Sequence, residues 1–217
     1  MIINKVIEHT ILKPDCALDD IRRICDEALH YQFYGVCVPP FFVREAARFL
    51  NEQAKVITVV GFPMGYSTIP SKVEEIKRAL DEEADEVDMV VNISAIKSGN
   101  WSYVKNEIDS TMRAVSMKGR VMKLIIEMGL LSKEEIVEVC RIAELNDVHF
   151  IKTSTGYNAD GATVEGVRFL RETLSPKVKI KASGGIKSLE MIEQLINAGA
   201  DRIGTSNGVS IMLQTSK

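Results

Sequence analysis

The chain has 217 residues, of which 46% are hydrophobic and 26% charged, as expected of a globular protein with a substantial core. Its net charge is −3 and no block of like charges occurs, which argues against nucleic acid or an anionic membrane as the main partner. No run approaches the roughly 18 apolar residues of a membrane span, and Met1 to Pro14 lacks the continuous apolar core of a signal peptide.

The four cysteines, Cys16, Cys25, Cys37 and Cys140, show neither CxxC spacing nor the spacing of zinc ligands. The three histidines are too few to complete a ligand set with them. The sequence therefore predicts a reduced, cytosolic protein without a metal site.

Short β-branched runs alternate with stretches whose apolar residues recur at helical spacing. In chain order the predicted elements are strand Val6–Leu12, a helix with an apolar stripe from Leu18 to Leu29, strand Gly35–Pro39, helix Pro40–Asn51, strand Lys55–Gly61, helix Ser71–Glu83, strand Glu86–Asn92, helix Trp101–Met117, strand Val121–Met128, helix Lys133–Leu145, strand His149–Thr155, helix Thr163–Leu174, strand Val178–Gly184, helix Leu189–Ala198 and strand Arg202–Thr205.

Four residues serve as boundary signals for these helices. Ser132 and Ser188 each precede an acidic first turn, as N-terminal caps do. Gly35 and Gly199 follow helical stretches and are expected to end them.

Strict alternation of about eight strands with about seven helices indicates a parallel α/β protein. The size fits a closed (β/α)8 TIM barrel, and the absence of a linker predicts one domain over residues 1–217. The alternative is a doubly wound sheet, which would carry phosphate-binding glycines after its first strand. No such glycines follow Leu12; they cluster instead after the last two predicted strands.

Alternate residues of a barrel strand point into the lumen, so strand parity sorts the polar side chains. The residues assigned to the lumen are Asp88, Asn92, Lys123, Glu127, Lys152, Lys179, Lys181 and Ser183. Three of these four lysines and both carboxylates would then converge near one end, which is costly unless the charges are paired or used. Taken alone, the lysines at 177, 179 and 181 are more typical of the solvent-exposed face of an edge strand, and Asp88 fits a plain ion-pair partner equally well.

Two glycine-containing loops provide a second signal. Ser183-Gly184-Gly185-Ile186 and the segment from Gly204 to Gly208 can expose backbone N–H groups at the ends of the last two strands. In barrels this arrangement commonly binds a phosphate, although either loop alone is also consistent with a simple turn.

Several motifs resemble the deoxyribose-phosphate aldolase family of class I, Schiff-base aldolases. The most specific are FIKTSTG at 150–156, EVDMV at 86–90 and IKASGGI at 180–186. EHTILKP at 8–14, VGFPMG at 60–65 and RIGTS at 202–206 extend the resemblance over nearly the whole chain.

The resemblance implies a (β/α)8 carbon–carbon lyase that interconverts 2-deoxy-D-ribose 5-phosphate with acetaldehyde and D-glyceraldehyde 3-phosphate in deoxyribonucleotide breakdown. It implies that Lys152 forms the Schiff base, that Asp88 and Lys181 handle protons, and that no cofactor is needed. The residues that it implies for binding substrate and phosphate are Thr155, Gly156, Gly184, Gly185, Gly204 and Ser206. A cytoplasmic homo-oligomer, a dimer or tetramer, is expected.

The chain departs from this pattern at four positions. Many relatives carry Asp at the position of Glu8, Thr at Met128 and a second Ser at Asn207, and some carry Lys at Tyr157. These departures bear on the affinity for the substrate tail.

Two other functions remain open from the residues. One is a different Schiff-base aldolase on the same fold; the other is a non-catalytic barrel that binds phosphometabolites, in which inward lysines merely balance carboxylates. For an aldolase, the partly dry lumen and a protonated Lys181 are expected to lower the pKa of Lys152, because both disfavour its charged form.

Overall fold

Eight parallel strands close into a barrel in the computed structural model, which describes residues 3–214. Each strand pairs with the next in sequence, and the last pairs with the first. The predicted (β/α)8 barrel is confirmed, and the doubly wound alternative is wrong. The strands are β1 (Ile7–Thr10), β2 (Gly35–Val38), β3 (Lys55–Val60), β4 (Glu86–Val90), β5 (Val121–Ile125), β6 (Phe150–Lys152), β7 (Lys179–Ser183) and β8 (Arg202–Thr205).

Amphipathic helices surround this barrel and cover its outer surface. Two of them are short and were not predicted: α4, which precedes α5, and α9, which follows β8. The helices are α1 (Leu18–His30), α2 (Val43–Leu50), α3 (Ile69–Asp81), α4 (Ile93–Lys97), α5 (Trp101–Ser116), α6 (Lys133–Leu145), α7 (Val164–Thr173), α8 (Leu189–Asn197) and α9 (Gly208–Met212).

The boundary signals were mostly right. Ser132 and Ser188 cap α6 and α8 by accepting hydrogen bonds from the N–H groups three residues on, and Gly199 takes a left-handed φ of 114° after α8. Gly35 was wrong as a helix end, because the left-handed residue after α1 is Gln32, with φ 54°. Gly35 instead begins β2, where an added Cβ would lie 2.3 Å from the carbonyl oxygen of Lys55.

The main core lies between the strands and the helices. The lumen has one apolar side and one charged side. Outward side chains such as Val36, Leu124 and Ile151 are fully buried in the main core. The lumen has a small apolar cluster on its β2–β3 side, formed by Cys37, Ile57 and Val59. The opposite side of the lumen is charged, and this division positions the candidate site.

A buried ion pair joins the loops that follow β3 and β4. The Lys72 ammonium donates to the carbonyl oxygens of Gly65 and Val90, at 2.6 and 2.7 Å, and to Glu107 Oε1 at 2.7 Å. Glu107 Oε2 accepts from the Asn92 N–H at 2.8 Å. Because both charges are fully buried and hydrogen-bonded, they fix the two loops relative to each other.

Candidate active site

A cavity of about 280 Å³ opens at the carboxyl ends of the strands, between the loops that follow β1, β6, β7 and β8. Lys152 lies in its wall and is only 3% exposed. All the residues predicted to bind substrate or phosphate also line the cavity: Thr155, Gly156, Gly184, Gly185, Gly204 and Ser206. The cavity occupies the end of the barrel at which TIM barrels carry their active sites.

Asp88 brings three lysines together below the cavity. Its Oδ2 atom lies 2.8 Å from Lys152 Nζ and 2.6 Å from Lys181 Nζ, and its Oδ1 atom lies 3.0 Å from Lys123 Nζ. Strand register produces this convergence, because Asp88 pairs with Lys123 across β4–β5 and Lys152 pairs with Lys181 across β6–β7. Strand parity assigned these four side chains to the lumen, and the structure confirms that they lie together there.

A second layer of charge lies on the far side of these lysines. Glu8 contacts Lys181 and accepts from Arg202 Nη1 at 3.3 Å. Glu86 contacts Lys123 and accepts a hydrogen bond from the Tyr34 hydroxyl. Glu8, Glu86 and Arg202 were not predicted to face the lumen.

The surroundings shift the pKa values of these groups in opposite directions. Burial opposes ionisation of Asp88, but the three lysines outweigh it and hold its pKa well below the usual range. Burial likewise opposes protonation of Lys181, but the Asp88 and Glu8 carboxylates outweigh it and raise its pKa. Burial lowers the pKa of Lys152; Asp88 opposes this and Lys181 lowers it further. The expected direction for Lys152 is therefore confirmed.

The glycine-rich loops present unpaired backbone donors to the cavity. Within residues 3–214, the N–H groups of Gly156, Gly185 and Ser206 have no protein acceptor. Gly185 has φ 73°, and an added Cβ would meet nothing within 4 Å. The exposed side chains of Lys13 and Lys187 also line the cavity. Backbone N–H groups and ammonium groups facing one space suit an anion.

A family model described as DeoC/LacD family aldolase matches residues 4–216. The chain belongs to this family. The deoxyribose-phosphate aldolase of Thermococcus gammatolerans is 45% identical over 215 residues, covering 98% of this chain and 96% of that one.

Solved structures agree in fold. The aldolase QR15 superposes with a TM-score of 0.94 at 37% identity, covering 99% of this chain and 96% of that one. The tetrameric deoxyribose phosphate aldolase of Aeropyrum pernix gives 0.93 at 27% identity, covering 99% and 91% of the two chains. No helix among the described residues has the length and apolarity to cross a membrane.

Glu127 does not face the lumen of this aldolase as predicted. Its left-handed backbone, with φ 48°, breaks the alternation just beyond β5. The carboxylate instead accepts from the N–H and hydroxyl of Thr155 and, at 3.3 Å, from the Asn158 side chain. Asn158 also donates to the carbonyl oxygen of Pro63 at 2.8 Å, so Glu127 links the loops after β3, β5 and β6.

One further parity assignment was wrong, and two were right. Asn92 caps α4 by accepting from the Ala95 N–H. Lys179 has the parity of Lys181 and its ammonium lies over the Phe150 ring, but it begins β7 at the opposite, exposed end of the barrel and does not join the cluster around Asp88. Ser183 lines the cavity as expected, and its hydroxyl donates to the Ser154 carbonyl oxygen at 2.6 Å.

Several cavity residues were not predicted from the sequence. These are Thr10, Lys13 and Lys187. Asn207, which the sequence placed in the predicted phosphate-binding segment, lines the cavity as expected. Tyr157, at a position where some relatives carry Lys, donates its hydroxyl to the carbonyl oxygen of Leu12 at 3.0 Å. Thr10 is the last residue of β1 and has the same parity as Glu8, whereas the others lie in loops after the strands, where no parity rule applies.

Within the part of the chain that the structure describes, no three His, Cys, Asp or Glu side chains are grouped to hold a metal ion. The four cysteines are free thiols. Burial raises the pKa of Cys37, which lies in the lumen, to about 11.

Proposed function

We propose that this aldolase reversibly cleaves 2-deoxy-D-ribose 5-phosphate into D-glyceraldehyde 3-phosphate and acetaldehyde, through a Schiff base on Lys152. One observation carries the proposal: a buried lysine with a lowered pKa shares a cavity with unpaired backbone N–H groups and two exposed lysines. The first feature suits an amine nucleophile and the second suits a phosphate. The named relatives supply the substrate.

The first stage of the reaction makes an electron sink. The neutral Lys152 amine adds to the C1 aldehyde of the open-chain sugar to give a carbinolamine. The Lys181 ammonium then donates a proton to the C1 hydroxyl, which leaves as water. An iminium ion remains on Lys152, and Lys181 is left as a neutral amine.

The second stage breaks the carbon–carbon bond. Lys181 takes the proton of the C3 hydroxyl as the C2–C3 bond breaks, which releases D-glyceraldehyde 3-phosphate and leaves an enamine on Lys152. Lys181 returns the proton to C2 of the enamine, and hydrolysis of the resulting iminium frees acetaldehyde and restores both lysines. Asp88 contacts both amines and stabilises each positive charge as it forms.

The phosphate of the substrate is bound at the mouth of the cavity. Gly156, Gly185 and Ser206 offer backbone N–H groups, and Lys13 and Lys187 offer positive charge. Since the reacting carbons are four and five bonds from the phosphate, this contact also aligns C1 with Lys152.

A cytosolic location and a homo-oligomeric state belong to the same proposal. The tetrameric Aeropyrum pernix relative supports the second. Light scattering of the purified protein tests it, and a monomer at all concentrations would contradict it.

Borohydride trapping tests the chemistry. Reduction in the presence of acetaldehyde or deoxyribose phosphate should add the carbon fragment at Lys152, which peptide mass spectrometry locates. Lys152→Ala should lose the adduct and turnover while keeping its circular dichroism spectrum. An adduct on Lys181 would overturn the assignment of the nucleophile.

The same experiment separates the two other functions. A barrel that only binds phosphometabolites would trap no adduct with any aldehyde. A different Schiff-base aldolase would trap other carbonyl donors but would not exchange the methyl protons of acetaldehyde with deuterated water.

A further inference from the structure

The buried lumen holds more cations than carboxylates if every amine is protonated. The acidic groups are Glu8, Glu86 and Asp88; the basic groups are Lys123, Lys152, Lys181 and Arg202. All of them are less than a tenth exposed. Because unbalanced charge in a dry interior is costly, the group that loses its proton most readily leaves the lumen neutral.

The contacts show which amine has the weakest support. Lys123 Nζ lies within 4.0 Å of all three carboxylates, Glu8, Glu86 and Asp88. Lys181 contacts two of them, Glu8 and Asp88. Lys152 contacts only Asp88, which it shares with both other lysines. Lys152 is therefore the amine for which a proton is least stabilised.

The remaining titratable groups near this cluster do not alter the balance. Burial lowers the pKa of His149, which interacts with Glu86 and Lys123, so its ring is neutral near pH 7. The Lys179 ammonium lies over the Phe150 ring at the exposed start of β7, where water screens its charge. Burial raises the pKa of the Tyr34 hydroxyl to about 12 and that of the Cys37 thiol to about 11, so both are neutral near pH 7. Strand β3 contributes only apolar Ile57 and Val59 to the lumen. Arg202 stays charged, because its neighbours Glu8 and Glu86 outweigh its burial and raise its pKa.

We infer that Lys123 and Glu86 are positioning residues that set the protonation of Lys152 by fixing the charge balance of the lumen. Neither lines the substrate cavity. Lys123 places a permanent positive charge beside Asp88 Oδ1. This charge weakens the stabilisation that the Asp88 carboxylate gives to protonated Lys152. Glu86 supplies the negative charge that holds Lys123 in place.

Opposite effects follow from removing either charge. Lys123→Met leaves three carboxylates facing two permanent cations, so Lys152 should retain its proton to a higher pH. Glu86→Gln leaves two carboxylates facing three cations, so Lys152 should lose its proton at a lower pH. The double variant removes one charge of each sign and should restore the balance.

The test is the pH dependence of acetaldehyde trapping with cyanoborohydride on the full chain, followed by mass spectrometry of the Lys152 peptide. The midpoint should rise by about 1–3 pH units in Lys123→Met and fall in Glu86→Gln. The Lys123→Met/Glu86→Gln double variant should return towards the wild-type midpoint. Lost packing alone would not produce opposite shifts or a rescue.

The outcomes distinguish failure of the Schiff-base chemistry from failure of the charge-balance role. Because this role presupposes the Schiff-base chemistry proposed above, a wild-type protein that traps nothing would refute both. Wild-type trapping with unmoved midpoints in the variants would refute only the charge-balance role. If Lys123→Met does not fold, Glu86→Gln alone decides, and a midpoint that stays or rises overturns the inference.

Discussion

Replacing the lysines at the cavity mouth should separate phosphate recognition from the chemistry at Lys152. Lys13 and Lys187 are exposed and line the cavity, and neither forms an ion pair within residues 3–214. Their positive charges are therefore available to an anionic substrate. We expect Lys13→Met and Lys187→Met each to weaken the use of deoxyribose phosphate and to spare deoxyribose.

The magnitude follows from charge and exposure. A phosphate carries nearly two negative charges, and at about 5 Å in a water-like medium each lysine would contribute about 1–2 kcal/mol. Such an energy corresponds to a loss of roughly five- to thirtyfold in kcat/KM. The loss should shrink in high salt, because the lysines are exposed and their fields are screened.

The assay is kcat/KM for deoxyribose 5-phosphate and for deoxyribose, measured in parallel. Lys177→Met is the matched control, because Lys177 is also exposed but precedes β7 at the opposite end of the barrel. It should affect neither substrate. An equal loss on both substrates in Lys13→Met and Lys187→Met would refute the reasoning, since the effect would then not depend on the phosphate.

Two predictions concern stability, measured by urea unfolding. Lys152→Leu should be inactive but at least as stable as wild type at pH 7, because a folded-state pKa below the unfolded value destabilises the fold there, and Asp88 keeps Lys123 and Lys181 as partners. The difference in free energy of unfolding between Lys152→Leu and wild type should vanish above about pH 10.4, the pKa of lysine in the unfolded chain. A difference that grows above this pH would contradict a lowered pKa for Lys152 in the folded protein. Lys72→Met should cost about 3–5 kcal/mol, because Glu107 would stay buried without its cation. The exposed Lys105→Met on α5, the helix that carries Glu107, should change stability by less than about 0.5 kcal/mol, and similar values for the two variants would disprove a stabilising ion pair.

Strand periodicity in the sequence predicted the fold and the residues at the centre of the site. Lys123, Lys152 and Lys181 were correctly assigned to the lumen because each lies inside a regular strand or at its last residue. Glu127 lies beyond the end of β5 with a left-handed backbone, where alternation no longer applies.

Strand parity also predicts part of the second layer of charge. Glu86 has the same parity as Asp88 on β4, so the rule that assigned Asp88 to the lumen also assigns Glu86. Glu8 and Arg202 lie two positions out of register on β1 and β8, which pair only once the barrel closes. That contact depends on the first and last strands meeting, and local sequence does not encode it.

The link made by Glu127 has a consequence for altering the range of aldehydes that this enzyme accepts. The buried Glu127 carboxylate holds the Thr155 segment and, through Asn158, the Pro63 segment. The loops after β3 and β6 therefore depend on hydrogen bonds to one buried charge. The Tyr157 hydroxyl, in the same loop as Thr155, donates to the carbonyl oxygen of Leu12 at the surface. Libraries aimed at bulkier substrates should therefore vary the segment around Leu12, which can be rebuilt without leaving a buried charge unsatisfied.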